Sequence, residues 1–182
     1  MIYLPNILSI IRIIIVPLIL WLLIKDLFVI SAIAIIIVGL TDFFDGYIAR
    51  KYSSESLLGF YLDSIADKVL IITIYLILGI KSLLPLYLII LIVSREALIS
   101  GAYLFKLALD LKFNLKPILI SKINTFLQII LIVFVCLITT NQINQMGEAM
   151  FIKNFLIALV TITTIVSLLI YIIMWLKVVG NE

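Results

Sequence analysis

The chain contains the stretch Asp42-Phe-Phe-Asp45-Gly46-Tyr-Ile-Ala49-Arg50 and, eight residues later, the stretch Gly59-Phe-Tyr-Leu-Asp63-Ser-Ile-Ala-Asp67. Together they place four aspartates in an otherwise apolar part of the sequence. A charged side chain inside a bilayer costs on the order of 3 kcal/mol, so carboxylates rarely accumulate there without compensating charge. A pair of divalent cations supplies that charge most simply, which indicates metal-dependent chemistry at a membrane surface.

The composition is that of an integral membrane protein. The 182 residues are 65% hydrophobic, with a mean hydropathy of +1.38, whereas soluble domains are about half apolar. Apolar windows of about 20 residues, the length needed to cross a bilayer, follow one another closely. We therefore expect one membrane domain over residues 1–182. The net charge of +3 is too small and too dispersed to indicate a nucleic-acid partner.

Two classes of chemistry are excluded by residue usage. The chain has no histidine, which removes the usual general base and zinc ligand, so acid–base work falls to carboxylates or lysine. Cys136 is the single cysteine and lies in an apolar run, which excludes an internal disulfide and a cysteine-rich metal site.

Hydropathy predicts an all-α, polytopic fold with six transmembrane helices. The first apolar segment contains Arg12 and lacks a basic leader and a small-residue cleavage site, so we interpret it as a retained span rather than a signal peptide. The predicted spans cover residues 7–24, 28–49, 58–80, 83–106, 117–140 and 150–176.

The distribution of basic residues predicts the orientation of these spans. Lysine and arginine are more frequent in the even-numbered loops and at the C-terminus than in the odd-numbered loops. The positive-inside rule then places both termini, and the ends of spans 2 and 3 that carry the aspartates, in the cytoplasm. Without a transit segment, we expect the cell (inner) membrane of a bacterium or archaeon.

Helical spacing groups the polar residues into two faces. Asp42, Asp45, Gly46 and Ala49 are separated by three, four and seven residues, so they share one face near the end of span 2. Gly59, Asp63 and Asp67 share a face at the start of span 3 by their four-residue spacing. We expect the eight intervening residues to form a tight turn that holds the two faces opposite each other.

This arrangement suits a site that binds metal ions and a phosphate ester. Oxygen ligands from four carboxylates suit hard cations such as Mg²⁺ or Mn²⁺, and two such ions balance four negative charges. Gly46, Ala49 and Gly59 lie where a larger side chain would obstruct a bound ligand. Arg50 is placed to bind a phosphate at the membrane edge.

The same residues resemble the CDP-alcohol phosphotransferase family, whose motif is Asp-x2-Asp-Gly-x2-Ala-Arg-x8-Gly-x3-Asp-x3-Asp. Residues 42–67 match this motif at all eight fixed positions. The resemblance extends over nearly the whole chain, including the six spans and Pro5-Asn6 before the first of them.

The resemblance implies a role for each motif residue. Asp42, Asp45 and Asp63 are the principal ligands of two divalent cations, Mg²⁺ or Mn²⁺, and Asp67 lies at the same metal site as the catalytic base. It deprotonates the acceptor hydroxyl, which attacks the β-phosphate of a CDP-linked lipid and releases CMP. A homodimer is also implied. The CDP-lipid is bound by Asp42, Gly46, Ala49, Arg50 and Gly59.

Other interpretations of the polar residues stay open. Intramembrane aspartates also occur in proton relays and cation transporters, but these do not require glycine, alanine and arginine at fixed offsets. Gly46 and Ala49 also suit close helix packing. An inactive scaffold is a third possibility, although every motif carboxylate is retained.

Arg95 in span 4 and Lys122 in span 5 are the candidates for binding the acceptor. Adjacent helical residues point about 100° apart, so we expect Arg95 to bind substrate phosphate rather than to pair with Glu96. Lys122 lies about one turn inside its span, where it is placed to do the same.

The number of basic residues favours a lipid acceptor. Family members that use glycerol 3-phosphate typically carry an arginine and a lysine where this chain has Tyr103 and Asn124. A free glycerol phosphate is a dianion that benefits from several cations, whereas phosphatidylglycerol is a singly charged diester with its own membrane anchor. We therefore predict CDP-diacylglycerol as donor and phosphatidylglycerol as acceptor, forming cardiolipin. Glycerol 3-phosphate is the alternative acceptor, with inositol phosphate and serine further behind.

Overall fold

The computed structural model describes residues 4–52, 57–108, 119–140 and 147–179, and side chains within residues 14–41, 68–101, 119–140 and 147–176. This part of the chain is helical apart from short turns and contains no strand, which confirms the predicted all-α fold. Each predicted span corresponds to one helix, and every boundary agrees within three residues. The helices are α1 (Leu4–Ile24), α2 (Phe28–Tyr52), α3 (Leu57–Ile80), α4 (Leu86–Ala108), α5 (Leu119–Thr140) and α6 (Gly147–Val179).

The helices α1 and α3 end in the same way. After α1, the N–H of Leu27 donates to the carbonyl of Leu22 and the N–H of Asp26 donates to the carbonyl of Leu23. Asp26 has a φ of 60°, so this is a Schellman turn with a residue other than glycine at its left-handed position.

A second Schellman turn closes α3. The N–H of Leu83 donates to the carbonyl of Leu78, and Ser82 has a φ of 56°. Lys81 joins the two turns, because its Nζ donates to Oδ1 of Asp26 at 2.6 Å and to the carbonyl of Ile24 at 3.2 Å. The C-terminal ends of α1 and α3 therefore lie side by side at one end of the bundle.

The helices form a closed ring. In the described part of the chain, the neighbours around the ring follow the order α1, α2, α5, α6, α4, α3 and back to α1. The helices α3 and α5 also touch across its centre, where the hydroxyl of Tyr75 donates to the carbonyl of Gln128 at 3.1 Å. Large apolar side chains fill the interior, among them Ile19, Ile35, Leu78, Leu88, Leu131 and Val160.

The outer surface is apolar as well. Ile14 and Trp21 on α1, Ile80 on α3 and Phe151 on α6 are each exposed by more than half of their surface. Most described serine and threonine hydroxyls on the helices donate to a carbonyl one turn earlier, as Ser31 does to Leu27 at 2.9 Å, which is how such groups are satisfied away from water. By length and composition, α5 and α6 are apolar enough to cross a membrane.

Candidate active site

The motif found in the sequence lies at the adjoining ends of two helices. Residues 42–52 form the last turns of α2, and residues 57–67 form the first turns of α3. We call this end of the bundle the motif end. Eight of the predicted site residues belong to the motif, and their side chains lie outside the described part, so their roles remain predictions. They are Asp42, Asp45, Gly46, Ala49, Arg50, Gly59, Asp63 and Asp67.

The helical register of α2 relates the first two aspartates to the bundle interior. Ala32, Ile35 and Val38 are buried and follow one another at three-residue steps. A step of four residues from Val38 reaches Asp42, and a further step of three reaches Asp45. The aspartates therefore occupy the face of α2 whose earlier positions pack into the core.

The register of α3 gives the same result from the other direction. Ile71 and Ile74 are buried, and Asp67 precedes them by four and seven residues. Asp63 precedes Asp67 by four more residues and lies on the same face. Both aspartate pairs are thus in helical register with buried positions of their helices.

The connection between the two motif helices is shorter than predicted. Because α2 continues to Tyr52 and α3 begins at Leu57, only residues 53–56 separate the helices, instead of an eight-residue turn. A connection of this length limits the distance between the helix ends to about 17 Å. In the described part of the chain, α2 and α3 each pack against α1 and α5 rather than against each other.

Lys68 links the end of the motif to α4. Its Nζ donates to the hydroxyl of Ser100 at 3.0 Å, and that hydroxyl donates to the carbonyl of Glu96 at 2.7 Å. Lys68 directly follows Asp67 in α3. The residue after the last motif position is therefore in contact with α4. Lys68 was not among the site residues predicted from the sequence, although a lysine inside a predicted span was a usable signal.

Arg95 is the centre of a buried polar network between three helices. The residue is 2% exposed, and its guanidinium contacts the carboxylate of Glu96 and the hydroxyl of Ser121. Its Nε and Nη2 also donate to the hydroxyl of Ser167, at 3.4 and 3.3 Å. The network therefore joins α4 to the beginning of α5 and to the second half of α6.

The expectation that Arg95 would not pair with Glu96 is wrong. Nη1 of Arg95 forms an ion pair with Oε1 of Glu96, and both side chains are buried. The 100° angle applies to the Cα–Cβ directions, whereas two long side chains can curve toward each other beyond the helix surface. Burial favours this pairing because neither charge is then left uncompensated.

Lys122 is outside the described polar network. It follows Ser121 in the first turn of α5 and is exposed, so the structure buries Arg95 and leaves Lys122 at the surface. Its predicted role in acceptor binding remains a prediction for a residue at the motif end.

Two further polar side chains in α5 were not selected from the sequence. Asn124 and Gln128 are completely buried one turn apart. Oδ1 of Asn124 accepts hydrogen bonds from Thr163 at 2.8 Å and from Thr164 at 3.0 Å. The amide nitrogens of Asn124 and Gln128, and the side-chain oxygen of Gln128, have no protein partner. An amide at position i and another at i+4 of an apolar span was the available signal.

Comparison with known proteins agrees with this arrangement. The sequence profile described as CDP-alcohol phosphatidyltransferase matches residues 2–180. The chain belongs to this family of transferases. The match thus confirms the resemblance seen in the sequence.

Similar members of the family carry two different names. The chain is 37% identical to the human cardiolipin synthase (CMP-forming), over 70% of this chain and 48% of the human protein. It is 39% identical to the CDP-diacylglycerol–glycerol-3-phosphate 3-phosphatidyltransferase of Rickettsia typhi, over 69% of this chain and 71% of that protein.

The cardiolipin synthase relatives are longer proteins. A fission yeast fusion of cardiolipin synthase (CMP-forming) with a mitochondrial hydrolase is 37% identical over 90% of this chain, which spans 29% of the fusion protein. The chain spans about half of the human relative. Both enzyme names thus occur among relatives of similar identity, and identity alone does not choose between their acceptors.

Proposed function

We propose that the chain is a membrane phosphatidyltransferase that transfers the phosphatidyl group of CDP-diacylglycerol to phosphatidylglycerol, forming cardiolipin and releasing CMP. The observation that carries this proposal is the complete four-aspartate motif in the last turns of α2 and the first turns of α3, in helical register with buried residues of both helices. Family membership and the cardiolipin synthase relatives support the same reaction.

The donor set fits divalent cations. Four carboxylates with no nitrogen or sulfur ligand suit Mg²⁺ or Mn²⁺, and Asp42, Asp45, Asp63 and Asp67 would hold two such ions. Where side chains are described, no three acidic or cysteine residues form another cluster. When bound, the ions would neutralise charge on the diphosphate and on the leaving CMP.

The remaining motif residues would hold the donor. Gly46, Ala49 and Gly59 lack side chains that would block the approach of the cytidine diphosphate to the helices. Arg50 would bind a phosphate through its guanidinium fork. Asp42, which shares a face of α2 with Gly46 and Ala49, would contribute to the same site.

The reaction is a single displacement at phosphorus. Asp67 would accept the proton of the acceptor hydroxyl, whose oxygen forms a bond to the β-phosphorus of the donor. The bond from this phosphorus to the bridging oxygen breaks, and the electron pair leaves with CMP. The register of α3 supports this role, because Asp67 precedes the buried Ile71 by one helical turn.

Arg95 and Lys122 are the proposed acceptor-binding residues. Arg95 is the buried cation of the described network, and its serine partners can rotate to admit a phosphodiester oxygen. Lys122 would supply a second positive charge from the exposed first turn of α5. One buried arginine suits a singly charged lipid diester better than a phosphate dianion.

Glycerol 3-phosphate is the second candidate acceptor. The specific observation in its favour is the identity of 39% to the Rickettsia typhi enzyme named for that substrate, of which this chain covers 71%. Tyr103 and Asn124, in place of the basic residues typical of such enzymes, argue against it.

The proposed setting is a multi-pass protein of the inner membrane. All six helices would cross the bilayer, as the apolar outer surface supports, with both termini and the motif end in the cytoplasm. A homodimer is proposed from the family resemblance alone.

An acceptor panel tests this function. Purified protein with CDP-diacylglycerol is given phosphatidylglycerol, glycerol 3-phosphate, inositol phosphate or serine, with Mg²⁺, with Mn²⁺ or with EDTA. We expect CMP release and cardiolipin formation with phosphatidylglycerol, and none in EDTA. Activity only with glycerol 3-phosphate would replace the acceptor, and activity in EDTA would remove the metals from the proposal.

A transport assay addresses the competing class. A proton or cation transporter would move ions across liposomes and would be indifferent to CDP-diacylglycerol. We expect no flux above that of empty liposomes. Flux without CMP release would overturn the enzyme proposal.

A further inference from the structure

An open groove runs along the outside of the bundle between α4 and α6. Its volume is about 610 Å³, within the range of about 300–1,000 Å³ typical of small-ligand sites. Apart from Ser94 and Arg95, its lining is apolar or aromatic. The lining includes Ala97, Leu98, Gly101, Leu168, Tyr171 and Trp175.

Among the residues whose side chains are described, the groove opens sideways. Leu98 and Leu176 line it and are more than half exposed, and Gly101 is exposed between them. The parts of α4 and α6 beyond Ser94 and Leu168 run toward the motif end. In a membrane, the groove would therefore face the acyl chains of the leaflet on the side of the motif.

Arg95 gives the groove a polar inner wall. The same side chain lines the groove and reaches Ser121 and Ser167 inside the bundle. An apolar trough that ends at a buried guanidinium is complementary to an anionic amphiphile, because the trough buries a chain and the guanidinium binds a phosphodiester. Tyr171 and Trp175, one turn apart on α6, are residue types enriched at lipid headgroup level.

The position of the groove favours the acceptor over the donor. Within the described residues, α2 contacts α1 and α5 but neither α4 nor α6. The acyl chains of a donor held by the motif face of α2 would therefore lie against another side of the ring than the groove. The groove and its arginine lie on the side that the motif residues of α2 do not occupy.

We infer that the groove between α4 and α6 binds an acyl chain of the phosphatidylglycerol acceptor, whose headgroup passes between these helices to Arg95. This inference rests on the proposed function and adds an entry route and a binding site for the second lipid. It requires the acceptor chain and the donor chains to occupy different surfaces of the protein.

Gly101 allows the groove to be filled. Gly101 lines the groove, and a Cβ added there meets no atom within 4 Å, so we expect larger side chains at this position to occupy the groove. We expect Gly101→Leu to raise KM for dioleoyl phosphatidylglycerol about tenfold, the effect of displacing roughly two buried methylene groups. KM for CDP-diacylglycerol should stay within about twofold, and Gly101→Ala should have an intermediate effect.

Ile90→Phe is the matched control, because Ile90 is exposed on α4 and does not line the groove. It should leave both KM values unchanged. An equal effect of Gly101→Leu on donor and acceptor, or a larger effect on the donor, would overturn the inference. If the wild type uses phosphatidylglycerol and Gly101→Leu has the same KM values as the wild type, the groove is not the acceptor site, and the proposed function still stands.

Cross-linking gives a readout that does not depend on turnover. Phosphatidylglycerol with a photoreactive acyl chain is irradiated with the protein in the absence of CDP-diacylglycerol. We expect adducts on α4 and α6 that Gly101→Leu reduces and Ile90→Phe does not. Adducts confined to α2 and α5, or cross-links between two copies of the chain through the groove, would contradict the assignment of the groove to the acceptor. A wild type active only with glycerol 3-phosphate would overturn the proposed acceptor and this inference together.

Discussion

Arg95 and Glu96 show how the bundle accommodates charge at the level of single residues. The two side chains neutralise each other, and the serines of α5 and α6 accept hydrogen bonds from Nε and Nη2 of the guanidinium. Removing one member of such a pair leaves a buried charge and costs about 3–5 kcal/mol. Any test of Arg95 in substrate binding must therefore separate binding from stability.

The first prediction concerns Arg95 in acceptor use. The double variant Arg95→Gln/Glu96→Gln removes both charges and leaves no uncompensated ion. We expect KM for the acceptor to rise about tenfold or more, because a hydrogen bond to a charged group contributes about 1.5–3 kcal/mol. KM for CDP-diacylglycerol should change little. An equal rise in KM for both substrates would assign Arg95 a structural role only. Glu96→Gln alone is the control, because it breaks the ion pair but keeps Arg95.

The second prediction concerns Asp67 as the base. Asp67→Asn keeps the shape of the side chain but cannot accept the hydroxyl proton, so we expect kcat to fall about 10²–10⁴-fold. Binding of CDP-diacylglycerol, measured by calorimetry or ligand-induced thermal shift, should be largely retained. Asp26→Asn is the control, since Asp26 lies at the opposite end of the bundle in contact with Lys81. Near-normal turnover of Asp67→Asn would exclude this residue as the base.

At the scale of elements, the two Schellman turns determine where α1 and α3 stop. A left-handed conformation costs a residue other than glycine about 1–2 kcal/mol, and both Asp26 and Ser82 adopt it. The hydrogen bonds of the turn and the contact of Lys81 with Asp26 offset this cost. These turns orient α2, which carries the first half of the motif, and α4, which carries Arg95.

The third prediction follows from the φ of 56° at Ser82. Ser82→Gly relieves the left-handed strain and should raise the unfolding free energy by roughly 1 kcal/mol. Ser82→Ala keeps the strain and should be close to neutral. Thermal unfolding of the purified protein in detergent measures both variants. A Tm of Ser82→Gly at or below that of Ser82→Ala would contradict the turn geometry.

The fourth prediction concerns the contact between α3 and α4 at Gly79. A Cβ at this position would collide with Cδ1 of Ile89, which is buried. Gly79→Ala should therefore destabilise the wild type by about 1–3 kcal/mol. In an Ile89→Val background the obstructing atom is absent, and the higher helix propensity of alanine should make the same substitution stabilising by up to about 1 kcal/mol.

Gly39→Ala is the matched control for this cycle. Gly39 is in α2, and a Cβ there meets no atom within 4 Å. We expect it to stabilise the protein in both backgrounds, because only helix propensity changes. Gly79→Ala with the same sign in both backgrounds would show that the Ile89 contact does not control packing here.

At the scale of the whole molecule, helix number and helix ends could be predicted from sequence, but the ring order could not. The thickness of the bilayer fixes the number of apolar residues in each span, and hydropathy shows where these apolar segments begin and end. Ring order depends on which apolar residues face protein and which face outward. Ile35 is buried and Ile36 is exposed, yet the two residues are identical in type.

The candidate site was predictable to a different extent in its two halves. The motif of α2 and α3 could be found from spacing, because polar residues at steps of three and four in an apolar helix are rare. The network around Arg95 contains Ser121 and Ser167, which are distant from it in sequence. It also contains Glu96, whose side chain was expected to point away from Arg95. Such a set follows only from the packing of α4, α5 and α6.

The fifth prediction tests the orientation of the molecule in the membrane. Cys136 is buried, so a Cys136→Ala background receives single cysteines at exposed positions of the two ends. Lys25→Cys lies at the end where α1 stops, and Leu119→Cys lies at the beginning of α5, toward the motif end. In intact cells, a membrane-impermeant maleimide should label Lys25→Cys at once and Leu119→Cys only after permeabilisation. The reverse pattern would place the motif end outside the cytoplasm, where CDP-linked donors would have to be supplied from another source.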